Sequence, residues 1–360
     1  MNFYWNAFSP SNLLIDFSLL ALNLLGFAFL YYTKKSLFAS RTILNSMKMA
    51  SLFLLPGIIP AFLPGPSPFL RIHILWTTAS VFLPLILFFL FFRDKRKSFL
   101  ALSILIVFFK LYAEYWEPND LDVERISFKS NKVQQPIRIT HISDLQTDGI
   151  REMHLRAREI SNQFYPHLIL FTGDVMNHIS IQKIVEDYLS GFQKIHSAYF
   201  VTGNVDGILD AKQFSNHIGF RYFDNQSEEI LIEKTHLGLI GLGVFDFNKE
   251  DLIRELSRPL SEERFRILFS HYPDSVLHTE KSSVDLILAG HTHGGQVCFP
   301  FLGPLITFSE VPNSIAAGGL NFHRDIRILV SRGLGVEGHV APRIRILNKP
   351  HLILLEILPE

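Results

Sequence analysis

Apolar positions along the 360-residue chain follow two patterns, and the change falls near residue 117. Before it, they run almost unbroken. The stretches "LLIDFSLLALNLLGFAFLYY" (13–32), 47–63 with "MASLFLLPGIIPAFL" at its heart, "IHILWTTASVFLPLILFFLFF" (72–92) and "FLALSILIVFFKLYAEYW" (99–116) are separated by short polar segments. About 20 helical residues at 1.5 Å each cross ~30 Å of hydrocarbon, so the pattern predicts a bundle of four transmembrane helices over 1–116. Three is the fallback count if 99–116 lies along the surface. Pro56 and Pro60 are tolerable where neighbouring helices cover the freed carbonyls. Lys110 can snorkel, with Tyr115 and Trp116 at the interface. No small-residue cleavage site marks the first run as a signal peptide.

After residue 117 the runs shorten and alternate with helical spacing. Residues 117–135 read as a connector and first strand ("VERISFKS", 123–130), and 136–360 as an α/β domain. Apolar strands are predicted at 136–143, 167–174, 198–204, 237–245, 265–271, 284–291, 326–333 and 351–357, with helices at 151–164 and 181–195. Thirty residues separate Asp144 from Asp174, and thirty more lead to Asn204. That is the length of one strand–helix–strand unit, so these strands should be sheet neighbours.

Composition adds four points. Lys and Arg balance Asp and Glu, so no nucleic-acid partner is expected. Phenylalanine numbers 33, concentrated in the N-terminal third. Basic residues cluster in 33–48 (Lys34, Lys35, Arg41, Lys48) and 93–98 (Arg93, Lys95, Arg96, Lys97), while 64–71 carries only Arg71. The positive-inside rule then makes this a multi-pass membrane protein with those loops in the cytoplasm and the α/β domain outside it. The domain becomes cytoplasmic if 99–116 does not span. The single cysteine, Cys298, allows no internal disulfide.

Chemistry enters at the strand ends. Asp144, Asp174, Asn204, His271 and His291 each follow an apolar run, and His293 comes two residues after His291. The C-terminal edge of an α/β sheet is where ligands bind. Carboxylate, amide and imidazole without thiolate suit Mn, Fe or Zn in a reactive site. Each residue has a plainer explanation. An Asp after a strand is often a helix cap, "TGD" and "TGN" are turn signals, and a lone His271 reads as a core or surface residue. "GHTHGG" (290–295) is harder to explain that way, because its glycines clear space around two imidazoles.

Together "SDLQ", "TGDV", "TGNVD", "SHYPD" and "AGHTHGGQ", in that order, resemble the calcineurin-like metallophosphoesterase superfamily over about 122–358. "GHTHGGQVCFPFLGP" and "SRGLG" (331–335) are similar to its bacterial membrane-associated branch. That branch includes phosphodiesterases and diphosphatases acting on a UDP-diacylglucosamine lipid A precursor. The resemblance implies a four-layer α/β/β/α sandwich and two divalent metal ions. Asp144, Gln146, Asp174 and His293 would hold the first. Asp174 would bridge to a second, held also by Asn204, His271 and His291. It further implies catalytic roles for Asn204, Asp206 and His291, and a phosphodiester or diphosphate substrate, lipid-linked substrates included.

Two positions depart from the family pattern. Gln146 stands where an imidazole is usual, and its carbonyl is a hard but neutral oxygen donor. Val205 stands where a histidine is usual, and valine donates no proton. A general acid is typically worth about 10²–10⁴ in rate. His141 and His178 are the substitutes to examine. The departure at Val205 also leaves open a second expectation, a metal-binding membrane sensor or scaffold with little or no turnover.

Overall fold

The computed structural model describes residues 10–35, 39 and 41–360. Among them, contacts divide the chain into a helical unit, running to Trp116 and including 337–343, and a second unit of 117–336 and 344–360.

The helical unit holds four helices long and apolar enough to cross a membrane: Asn12–Thr33, Ile43–Phe62, Pro68–Asp94 and Lys97–Asn119. Each is longer than its apolar run, because polar flanks continue the helices. The third contains a π-helical turn, Thr78–Phe82, that ends two residues before Pro84, where the missing amide would otherwise break the ladder. Ser103 donates to the Pro84 carbonyl at 2.9 Å. At one end of the unit, Arg93 reaches Ser46 Oγ at 2.8 Å, so the segments before the second helix and after the third share that end. Elsewhere Asp16 accepts from Thr77 at 2.7 Å and pairs with His73 at 3.0 Å, and His73 Nδ1 meets the Val340 carbonyl at 2.8 Å. An acid in an apolar helix needs such partners.

The second unit is built on strands β1 (Asp122–Ser130), β2 (Ile137–Ile142), β3 (Leu168–Phe171), β4 (Ser197–Phe200) and β5 (Arg221–Tyr222). They are followed by β6 (Gln226–Ile232), β7 (Thr235–Gly241), β8 (Phe265–Phe269) and β9 (Leu286–Ala289). The rest are β10 (Cys298–Phe299), β11 (Gly303–Pro304), β12 (Gly319–His323), β13 (Ile326–Val330) and β14 (His351–Pro359). Two six-stranded sheets result, ordered β1-β14-β2-β3-β4-β5 and β12-β13-β9-β8-β7-β6. As the thirty-residue spacing predicts, β2, β3 and β4 are parallel neighbours.

Strand alternation explains why the central strands are apolar throughout. Ile137, Ile139, Leu168, Leu170, Tyr199, Phe265, Ile267, Phe269, Leu286 and Leu288 meet in the core between the sheets. Ile169, Phe171, Ala198 and Phe200 face the other way, toward helices Glu152–Phe164, Gln182–Ser190 and Ala211–Ile218. Leu268 and Ile287 face helix Glu250–Ser257 and its neighbours. The architecture is the expected α/β/β/α.

Several elements differ from the sequence pattern. The run 167–174 pairs only over Leu168–Phe171, since Gly173 (φ 85°) and Asp174 (φ 57°) turn the chain away. The helix expected over 181–195 is helical from Gln182 and ends at Ser190, before Gly191. Strands β6 and β12 were not expected. Both are sheet edges with half-polar faces, so their period is weak.

Phe269 is fully buried between the sheets and packs on Tyr199 and Phe223. Phe269→Ala should cost about 3–5 kcal/mol, read as a lower denaturation midpoint of the full-length protein. An unchanged midpoint would mean the two sheets do not share this core.

Candidate metal centre

The chain leaves β2, β3 and β4 of one sheet and β8 and β9 of the other through short loops that carry Asp144, Asp174, Asn204, His271 and His291. The sequence suggested the rim of one sheet; the structure draws the residues from two. Asp144 (φ 46°), Asp174 (φ 57°), His291 (φ 69°) and His293 (φ 49°) all adopt left-handed backbone. That conformation costs a non-glycine residue roughly 1–2 kcal/mol, and it turns the side chains into the site. Close approach of the loops requires glycine: a Cβ on Gly203 would collide with the Asp174 carboxylate, and one on Gly290 with Ser143 and Asp144.

Two donor groups result. In the first, ligand atoms of Asp144, Asp174 and His293 lie within 4.8 Å of one another. Gln146 joins them, donating from Nε2 to Asp174 Oδ2 at 2.8 Å. Its Oε1 is buried without a hydrogen-bond partner, as are both ring nitrogens of His293, whose Nε2 lies 3.6 Å from Asp144 Oδ1. Asp144 is no helix cap. It is fully buried, accepts from the His291 amide at 3.0 and 3.1 Å, and the next helix begins only after Arg151, whose amide donates to His154 Nδ1 at 3.0 Å.

In the second group, His271 Nε2 lies 2.9 Å from Asn204 Oδ1, His291 Nδ1 lies 3.1 Å from the same oxygen, and the two nitrogens are 3.2 Å apart. Backbone carbonyls fix both tautomers. His271 Nδ1–H donates to Thr172 O at 2.8 Å and His291 Nε2–H to Phe308 O at 3.1 Å. Neutral imidazoles so held point lone pairs at the amide oxygen and at each other, with no proton between them. Asp174 Oδ2 stands 3.4 Å from His271 Nε2, which puts this carboxylate next to both groups.

Electrostatics point the same way. Burial pushes Asp174 up to about 7. Burial and the adjacent Asp174 carboxylate push Asp144 well above the usual carboxylate range. Burial lowers His271 to about 4, and burial with the neighbouring His271 lowers His291 to about 3. A crowd of acceptors that cannot all ionise, together with unpartnered buried oxygen and nitrogen, fits a cation.

Asp206 stands apart from the catalytic role that the resemblance implies. Its carboxylate accepts from the amides of Asp174, Val175 and Gly203 at 2.7–2.9 Å, so it braces the loops and faces no open space. Val205 adds its own amide to Asp174 Oδ1 at 3.0 Å. His141 is fully buried on Thr172, and burial lowers it to about 3, which suits a core residue and not a proton donor. His178 is exposed beside a 3₁₀ turn.

Sequence reasoning missed the backing of the site. The amides of Leu334, Gly335 and Val336 donate to the carbonyls of Ser143, Asp144 and Gln146. Fully buried Arg345 binds the carbonyls of Arg332, Gly333 and Gly335, and Asn348 binds those of His293 and Gly294. "SRGLG" was the one signal for this loop. Tyr272, whose ring lies 4.2 Å from that of His291, forms a wall that "SHYPD" contained but did not explain.

Residues 137–295 match the calcineurin-like phosphoesterase family. The chain is 28% identical to the uncharacterized metallophosphoesterase YkuE of Bacillus subtilis over 259 residues, 68% of this chain and 88% of that one. It is also 28% identical to the phosphodiesterase YaeI of Escherichia coli over 265 residues, 68% of this chain and 92% of that one. Among solved structures, the NAD nucleotidase NadN of Haemophilus influenzae superposes with a TM-score of 0.40 at 11% identity, covering 55% of this chain and 45% of the other.

Protons and cations compete for these carboxylates. Asp174 holds a proton up to about pH 7 in the metal-free protein and must lose it to bind a cation, so affinity should rise with pH through that value. Calorimetric Mn²⁺ titrations at about pH 6 and about pH 8, in buffers of different ionisation enthalpy, should show more proton release and weaker binding at the lower pH. Equal affinity at both would contradict the carboxylate assignment.

Proposed function

The chain belongs to the calcineurin-like metallophosphoesterase superfamily, whose members are metal-dependent phosphoester hydrolases, and from that premise we propose how its own residues work. Asp144, Gln146, Asp174 and His293 would hold one divalent cation. Asn204, His271 and His291 would hold a second, with the Asp174 carboxylate next to both groups. The observation that carries this reading is the set of converging lone pairs of His271, His291 and Asn204, which no proton separates. When bound, divalent cations supply Lewis-acid polarisation of a phosphoryl oxygen and the acidity that makes water a nucleophile near neutral pH.

The protein's part is positioning. Thr172 and Phe308 carbonyls keep His271 and His291 in the tautomers that face the site. Asp206 fixes the Asp174 loop through three amides. Asn204, exposed at its rim, is the residue placed to meet the substrate phosphoryl group. Val205 supplies no proton to a leaving oxygen, which favours substrates that need none. A diphosphate releases a phosphate, already a good leaving group. The substrate is therefore a diphosphate or an activated phosphodiester, and the four apolar helices favour a lipid-linked one. We assign residues 1–116 to a membrane domain, 117–135 to the connector and first strand, and 136–360 to the hydrolase, with 337–343 grouping with the helices by contact. Val205 also supports one alternative, a metal-binding sensor or scaffold in the membrane that turns nothing over.

Asp174→Ala removes the ligand common to both groups. It should abolish bound metal and hydrolysis of bis-p-nitrophenyl phosphate by the full-length protein, while His293→Ala should spare the second ion. Two ions retained in Asp174→Ala would defeat the ligand assignment. Metal binding by the wild type without turnover on diphosphates or activated esters would select the scaffold.

Val205→His should accelerate esters with poor alkoxide leaving groups far more than diphosphates, because an acid helps only where charge on the leaving oxygen is costly. A leaving-group series on both forms checks it. Equal slopes would show that wild type already has a proton donor.

We further propose that the hydrolase lies outside the cytoplasm. The shared end of the helical unit that carries Arg93 and the segment before Ile43 supports one cytoplasmic face for both basic loops. A reporter fused after residue 120 should behave as extracytoplasmic, and a cytoplasmic signal there would mean an odd number of spans.

A further inference from the structure

The loop that follows the two imidazoles leaves the site as a hairpin, β10–β11, and continues to Phe308. Residues 297–308, "VCFPFLGPLITF", contain no charged side chain. Phe299, Phe301, Leu302, Leu305, Ile306 and Phe308 are all exposed. Phe301, at the tip, is 107% exposed and sits at φ 68°, a backbone conformation that bulky residues seldom adopt. Strain that holds an aromatic ring in water has no value to a free-standing domain, and contiguous apolar surface of this kind marks a contact.

The hairpin is firmly seated at both ends. At its base Cys298 N donates to Ile346 O and Ile346 N to Gln296 O, each at 2.9 Å. At its exit the Phe308 carbonyl holds His291, and Ser309 Oγ donates to Asp274 at 2.8 Å. Whatever the hairpin binds therefore fixes the height of the site.

The chain itself indicates what lies within reach. It passes between the helical and catalytic units at 116/117, 336/337 and 343/344. Only two residues lie between Arg343, the last of the segment grouped with the helices, and Ile346 at the hairpin base. At ~3.5 Å per residue that leaves roughly 10 Å of chain. The helices long and apolar enough to cross a membrane are thus joined to the hairpin base by a short length of chain.

We propose that hairpin 297–308 inserts its apolar tip into the surface of a lipid bilayer and sets the metal centre at headgroup depth. The uncharged tip suits the acyl boundary, and the site between Gln296 and Phe308 then faces the layer in which lipid phosphates lie.

Depth-dependent quenching tests this in the full-length protein, and the readout needs no turnover, so it stands apart from the phosphoesterase reading. With Cys298→Ser removing the only native thiol, Leu302→Cys, Leu305→Cys and, as control on an outer helix, Asp187→Cys are labelled with a polarity-sensitive fluorophore. Each is reconstituted at one chain per nanodisc in phosphatidylcholine and phosphatidylglycerol. Labels at 302 and 305 should emit blue-shifted light and lose emission to doxyl groups on the acyl chains, whereas 187 should yield only to aqueous iodide. Iodide quenching at 302 and 305 equal to that at 187 would overturn the proposal. So would shielding from both quenchers, which means the hairpin folds on its own chain. Doxyl quenching absent at one chain per disc, with shielding that appears only at two, would assign the hairpin to a second copy and overturn it equally.

Discussion

Lone pairs forced together without a shared proton are the constraint on which the site depends. His271 Nε2, His291 Nδ1 and Asn204 Oδ1 stand 2.9–3.2 Å apart, and the protons that would relieve them are committed to Thr172 and Phe308. Much of the surrounding architecture serves to hold that arrangement. Two sheets must pack face to face for β8 and β9 to deliver imidazoles opposite β3 and β4. Glycines at 203 and 290 must omit a Cβ, and four side chains must occupy left-handed backbone. Each is a cost that a fold does not bear for packing alone.

The same logic clarifies the two departures from the family pattern. Gln146 keeps an oxygen donor in the first group: its amide nitrogen is spent on Asp174, and its carbonyl oxygen is left buried and unpaired. The substitution changes the donor from nitrogen to oxygen and adds no charge. Val205 acts differently. Its amide still serves Asp174, so the loop is intact, and what has gone is only a side chain able to move a proton. In the proposed function, one departure would tune a cation site and the other would narrow which leaving groups the site can serve.

The donors were legible because they end apolar runs, and a run must stop where the chain turns to present a polar side chain. Asp144, Asp174, Asn204, His271 and His291 all carried that mark. Asp206 carried it too, by its place in "TGNVD", but spacing does not reveal that a carboxylate faces backbone amides and not the open site. Arg345 and Asn348 lie more than fifty residues after His291, and no periodicity links them to it. Their contribution is to carbonyl groups, which sequence does not distinguish. Edge strands β6 and β12 escaped because their solvent faces are polar, and the division of the donors between two sheets was visible only through the family resemblance. The four helices long and apolar enough to cross a membrane, by contrast, were plain from length and composition.

Anomalous X-ray scattering from crystals of the full-length protein grown with Mn²⁺ tests the central claim most directly. The account predicts two peaks flanking Asp174, one beside Asp144, Gln146 and His293 and the other beside Asn204, His271 and His291. Peaks elsewhere, or a vacant space between the imidazoles with Mn²⁺ in excess, would contradict it.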